Sequence, residues 1–121
     1  MGKHKREELE ESLQIISSII SRCEKAQTNF TEGTSQYTLL NNRINALYIS
    51  KSLIMGENVM CRFTKEELIE ALRPVSSIIS KCEKAQLKFT ENNPHYTRFK
   101  NMIKAMNISR SLIIEEISKR R

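Results

Sequence analysis

Aspartate and tryptophan are missing from this 121-residue chain, and it holds only three Gly, two Pro and two His. Without Asp, all 14 acidic residues are Glu, and a Ser-His-Asp arrangement has no third member. Scarce Gly and Pro leave few places where a helix must stop, since in a helix interior they cost about 1 and about 3 kcal/mol relative to Ala. No stretch reaches the roughly 18 apolar residues of a membrane span. The two His, His4 and His95, stand alone, so neither HxxxH nor the Glu-x-x-His of di-iron bundles occurs. The three Cys (Cys23, Cys61 and Cys82) are odd in number and form no CxxC. The basic start, Met1 to Arg6, runs straight into Glu7 and Glu8 without the apolar segment of a secretory signal. In such a chain the cysteines read as reduced thiols. Together these absences point to a cytoplasmic, non-enzymatic protein with no cofactor, no metal and no membrane partner.

What remains is helix-forming. Glu, Lys, Leu, Ala and Arg lose little rotamer freedom in a helix, and 121 residues suffice for one domain, 1–121, with its own core. The net charge of +6 is uneven. Residues 1–62 hold eight Lys/Arg against seven Glu, and residues 63–121 hold twelve against seven.

Shifted by 59 residues, the chain falls on itself without a gap. Ser17-Ser18-Ile19-Ile20-Ser21 returns as Ser76-Ser77-Ile78-Ile79-Ser80, and Cys23-Glu24-Lys25-Ala26-Gln27 as Cys82-Glu83-Lys84-Ala85-Gln86. Phe30-Thr31-Glu32 and Tyr37-Thr38 return as Phe89-Thr90-Glu91 and Tyr96-Thr97. Of the 51 positions from Glu7 to Glu57, 29 are identical in the second copy. The period is longer than common solenoid repeats and two copies do not make an array, so the unit is a duplicated hairpin. Repeat one spans 7–57, a linker 58–65, and repeat two 66–116, followed by a basic C-terminal end.

Within each copy, the first half carries an apolar stripe at helical spacing: Leu9, Leu13, Ile16, Ile20 and Cys23, then Leu68, Leu72, Val75, Ile79 and Cys82. Thr64 followed by Glu67 predicts a capping box, and Pro74 predicts a kink inside the third helix rather than its end. Second helices are predicted over about Ser35–Met55, stopped by Gly56, and over about Pro94–Lys119, with Asn93 as N-cap and Pro94 at the first helical position. They are apolar on two faces (Tyr37, Leu40, Ile44 and Leu47 on one, Ala46, Ile49 and Leu53 on the other), so they are expected to be more buried than the first and third. Val59, Met60 and Phe63 of the linker are expected against the end of the molecule. The resulting expectation is all-α: a four-helix bundle from two tandem antiparallel helical hairpins related by pseudo-twofold symmetry, a fused ancestral dimer.

Three sets of side chains are candidates for function. Cys23 and Cys82 hold equivalent places on the apolar stripes and read as small buried hydrophobes, because no second metal ligand adjoins either. The polar positions shared by both copies (Ser18, Ser21 and Lys25, repeated as Ser77, Ser80 and Lys84) form a candidate partner surface, and Ser17, Glu24, Thr38 and Asn42 are shared too. Their identity marks either a common binding surface or a recent duplication. A candidate basic patch comprises Lys88, Arg98, Lys100 and Lys104, near Lys84 and with Lys119-Arg120-Arg121 beyond. The first copy has Asn29, Leu39, Asn41 and Asn45 at the four patch positions, and a solvated face accounts for the charges as well as a nucleic-acid footprint does.

The segments Lys81-Cys82-Glu83-Lys84-Ala85-Gln86 and Tyr37-Thr38-Leu39-Leu40-Asn41-Asn42-Arg43-Ile44-Asn45-Ala46-Leu47 resemble small helical proteins of Gram-positive bacteria. The likeness covers most of each copy and departs at Arg98 to Lys100 and at Met102. It implies a bacterial cytosolic setting and no particular activity. The expected function is a protein-interaction or scaffolding bundle, monomeric or homodimeric, with an unknown protein partner. The alternative is a nucleic-acid-binding or regulatory protein using the basic second hairpin.

Overall fold

A computed structural model describes residues 4–120. They form four α-helices and, among the described residues, no strand: α1 (Arg6–Gln27), α2 (Ser35–Ile54), α3 (Lys65–Gln86) and α4 (Pro94–Lys119). Arg121, which closes the basic C-terminal run, lies outside the described residues, as do Met1 to Lys3.

The helix ends follow from local chemistry. Thr64 caps α3, its hydroxyl accepting from the Glu67 amide at 3.0 Å while the Glu67 carboxylate accepts from the Thr64 amide at 2.8 Å. Asn93 caps α4 by accepting from the His95 amide at 2.9 Å, with Pro94 at the first helical position. In α2 the stop is a glycine. Gly56 adopts φ 75°, its amide donates to Leu53 O, and the Glu57 amide reaches back to Ser52 O, both at 3.1 Å. The equivalent residue in the second copy is Glu115, which has no access to that left-handed turn at low cost, so α4 runs on to Lys119. α3 is continuous through Pro74.

One core is shared by all four helices, with Ile16, Leu47, Leu68, Val75, Met106 and Ile113 among its fully enclosed side chains. α2 and α4 each pack against all three other helices, whereas α1 and α3 do not meet. Both central helices bury small side chains at equivalent positions. Ala46 and Ser50 of α2 and Ala105 and Ser109 of α4 are all buried, and the two hydroxyls donate to the carbonyls one turn back, Ser50 to Ala46 at 2.9 Å and Ser109 to Ala105 at 3.0 Å. A serine that satisfies its own hydroxyl in this way behaves as a small core residue.

The linker end is sealed by α4. Val59 is buried and Phe63 half-buried against the core, but Met60 is exposed, contrary to the expectation that all three lie inward. Arg120 donates to Glu116 at 3.2 Å, to Phe63 O at 2.7 Å and to Val59 O at 3.1 Å, with its side chain only 10% exposed. At the opposite end, Gln27 donates to the Tyr37 carbonyl at 3.3 Å and Gln86 to that of Tyr96 at 3.4 Å, tying each loop's flanking helices together.

Candidate functional site

A groove of about 450 Å³ runs between the C-terminal half of α1 and the first two turns of α4. α1 contributes Gln14, Ile15, Ser18, Ile19 and Arg22, and α4 contributes Pro94, Thr97, Arg98, Asn101 and Met102. The spacing explains the composition. Positions 15, 18, 19 and 22 share one face of α1, and 94, 97, 98, 101 and 102 one face of α4. Ile19 is buried and Ile15 and Met102 half-buried, giving an apolar floor; Ser18, Thr97 and Asn101 are exposed above it. Thr97 and Asn101 are the second-copy counterparts of Thr38 and Asn42. The groove therefore gathers three of the copy-shared polar positions, one from the first copy and two from the second.

Arg22 and Arg98 flank this groove and take part in no ion pair or side-chain hydrogen bond among the described residues. The first turn of α4, like that of α2, holds no acidic residue, whereas α1 and α3 open with Glu7, Glu8 and Glu66, Glu67. The partial positive charge of the α4 N-terminus is thus left uncompensated. It adds to a polarity of the whole molecule. Among the described residues, the loop half (22–43 and 81–104) carries nine Lys/Arg against four Glu, and the linker half nine against ten.

The other expected partner residues are spread out. Ser21 and Lys25 are exposed on the same face of α1 as Ser18, one and two turns on. Ser77, half-buried, and Ser80 and Lys84, exposed, repeat the pattern on α3, which α1 does not touch. The basic residues are not brought together either. Lys104 pairs with Glu8 of α1 at 3.2 Å, and the Glu8 carboxyl is held below the usual carboxylate range by the Lys5 amide first, then by Lys104. Lys88 is exposed beside the second loop, and Lys100 lies about 160° around α4 from Arg98. His95 stacks against Phe89 (ring centres 5.1 Å apart) and Phe89 against Phe99 (6.1 Å), an aromatic cluster that pins the second loop.

Cys23 and Cys82 are buried, and burial pushes both thiols up from their ordinary value. Arg43 acts on both in the opposite sense, joined by Arg22 at Cys23 and Arg98 at Cys82. Arg43 is half-buried with its Nε enclosed and without an acceptor. It stands where the second copy has Met102. Sequence patterning passed over this residue because an Arg reads as a surface position. A trough of about 500 Å³ is lined by Asn107, Arg110, Ser111, Ile114, Glu115 and Ser118, all from α4. Among the described residues, no group of three His, Cys, Asp or Glu is placed to hold a metal ion, and no helix is long and apolar enough to cross a membrane. Comparison with known protein families, with curated proteins and with solved structures returned no match.

Proposed function

We propose that this chain is a non-enzymatic, cytosolic protein-interaction bundle, and that the groove between α1 and α4 is its contact surface. The observation that carries this reading is the groove itself, where Ser18 meets Thr97 and Asn101 over a floor of Ile15, Ile19 and Met102. An apolar floor under a polar rim is how protein contacts are built. Its only charged lining residues are Arg22 and Arg98, and a guanidinium stays protonated at any physiological pH, so neither serves as a general acid or base.

The wider picture is of two tandem hairpins related by a pseudo-twofold axis, a duplication read from the 59-residue repeat, in the bacterial setting the resemblance implies. Paired features support it: Gln27 and Gln86 make equivalent loop ties, Ser50 and Ser109 equivalent back-bonds, and α1 packs on α4 as α3 packs on α2. The apolar Met102 of this groove has the charged Arg43 as its first-copy counterpart, so the floor is particular to the α1–α4 side.

The test is affinity capture from a Gram-positive lysate, with and without nuclease, using the natural chain and a Ser18→Tyr variant that fills the groove. A nuclease-resistant partner retained by the natural chain and lost by the variant is the expected outcome. Retention that disappears on nuclease treatment favours the second reading, nucleic-acid binding through the basic second hairpin, for which the positive loop half is the supporting observation.

A further inference from the structure

We infer that the α1–α4 groove recognises an acidic, amphipathic segment of its partner protein, with Arg22 and Arg98 as the charge-reading residues. This deepens the interaction reading above and rests on it. Three features of the groove converge on that occupant. Its two guanidiniums are unpaired among the described residues, although the chain has Glu enough to pair them: Lys104, two turns along α4, already takes Glu8. The α4 N-terminus beside them, like that of α2, has no acidic residue in its first turn, so the backbone dipole adds to the same field. The surrounding half of the molecule is net positive, which steers an anion toward this end from a distance.

Charge alone also attracts a nucleic acid, and the shape of the site decides between them. A phosphate backbone needs a track of cations, with aromatic faces where single-stranded bases stack. Here Arg98 and Lys100 point about 160° apart around α4, Lys104 is committed to Glu8, and no aromatic side chain lines the groove. The same groove that holds the arginines is lined instead by Ile15, Ile19 and Met102. A buried apolar strip flanked by carboxylates matches that arrangement, apolar side chains against the floor and a carboxylate on each guanidinium, where Arg offers two parallel donors.

Fluorescence anisotropy on the full chain at low and moderate salt tests it. The probes are a labelled Leu/Glu peptide with Leu at helical spacing, the same peptide with Gln for Glu, and a labelled DNA duplex. The Glu peptide should bind, the Gln peptide should bind about tenfold more weakly, and Arg22→Gln with Arg98→Gln should weaken the Glu peptide about tenfold. Lys100→Gln, on the far side of α4, should leave it unchanged within about twofold. Both arginines are exposed, so the far-UV circular dichroism of the double variant should match the natural chain. The inference is overturned if the Glu peptide does not bind at low salt, if the double variant binds it equally, or if the duplex binds more tightly. A captured partner that Ser18→Tyr releases but the arginine variant retains leaves the interaction function standing and removes acidic recognition alone.

Discussion

Removing the Arg120 side chain would strip three acceptors of their donor at once: the Glu116 carboxylate and the carbonyls of Phe63 and Val59. Glu116 is itself only 13% exposed, so water recovers little of the loss. Arg120→Ala should therefore lower stability by about 2 kcal/mol, whereas Lys119→Ala, exposed on the same turn, should change it by less than about 0.5; urea denaturation followed by circular dichroism measures both. The buried thiols make a second residue-scale case. Their folded values lie above the usual thiol value of 9.0, so the folded state keeps protons that the unfolded state has already released. The stability they contribute is present below about pH 9 and is lost as pH rises through the folded values. A plot of unfolding free energy against pH should fall on its alkaline side, and Cys23→Ala with Cys82→Ala should flatten that fall. At neutral pH a thiol reagent should modify exposed Cys61 first and the two buried thiols only as the protein unfolds.

At the scale of the element, α2 and α4 each enclose a serine in the packed interior. Ser50 and Ser109 are fully enclosed and satisfy their own hydroxyls. Ser50→Ala should stay within about 0.5 kcal/mol of the natural chain, while Ser50→Leu should cost about 2 or more by forcing the helices apart; thermal unfolding distinguishes them. These serines also show why the sequence is only partly legible. Helix ends could be read in advance where one residue type has one use, as with Thr64 and Glu67, Asn93 and Pro94, or Gly56. The buried serines could not, because an apolar-against-polar pattern files Ser with the surface. Arg120 was equally hidden, since its acceptors lie 57 and 61 residues earlier in the chain. The groove is a third instance. Ser18, Thr97 and Asn101 stood out singly, each identical to its counterpart in the other copy (Ser77, Thr38 and Asn42), but only the packing of α1 on α4 brings them to one groove, and nothing in either helix alone names its neighbour.

For the molecule as a whole, α2 and α4 take their burial from three directions, so neither half can supply its own enclosure. The fragment 1–58 loses α3 and α4, both of which pack on α2, and it should dimerise or unfold when examined by sedimentation velocity and circular dichroism. A folded monomeric fragment would contradict the packing described. The seal at Arg120 adds a matter of timing. At about 5–20 residues per second, some 65 residues separate the completion of α2 from the synthesis of Arg120, an interval of roughly 3–13 s. For that interval a nascent chain presents α2 with an uncovered flank whose natural cover is a helix of closely similar sequence. Two ribosomes on one message bring just such helices near each other. Exchange of halves between neighbouring chains is therefore the misassembly this order of synthesis should favour, and the bonds of Arg120 to Val59 and Phe63 are among the last contacts a chain can close.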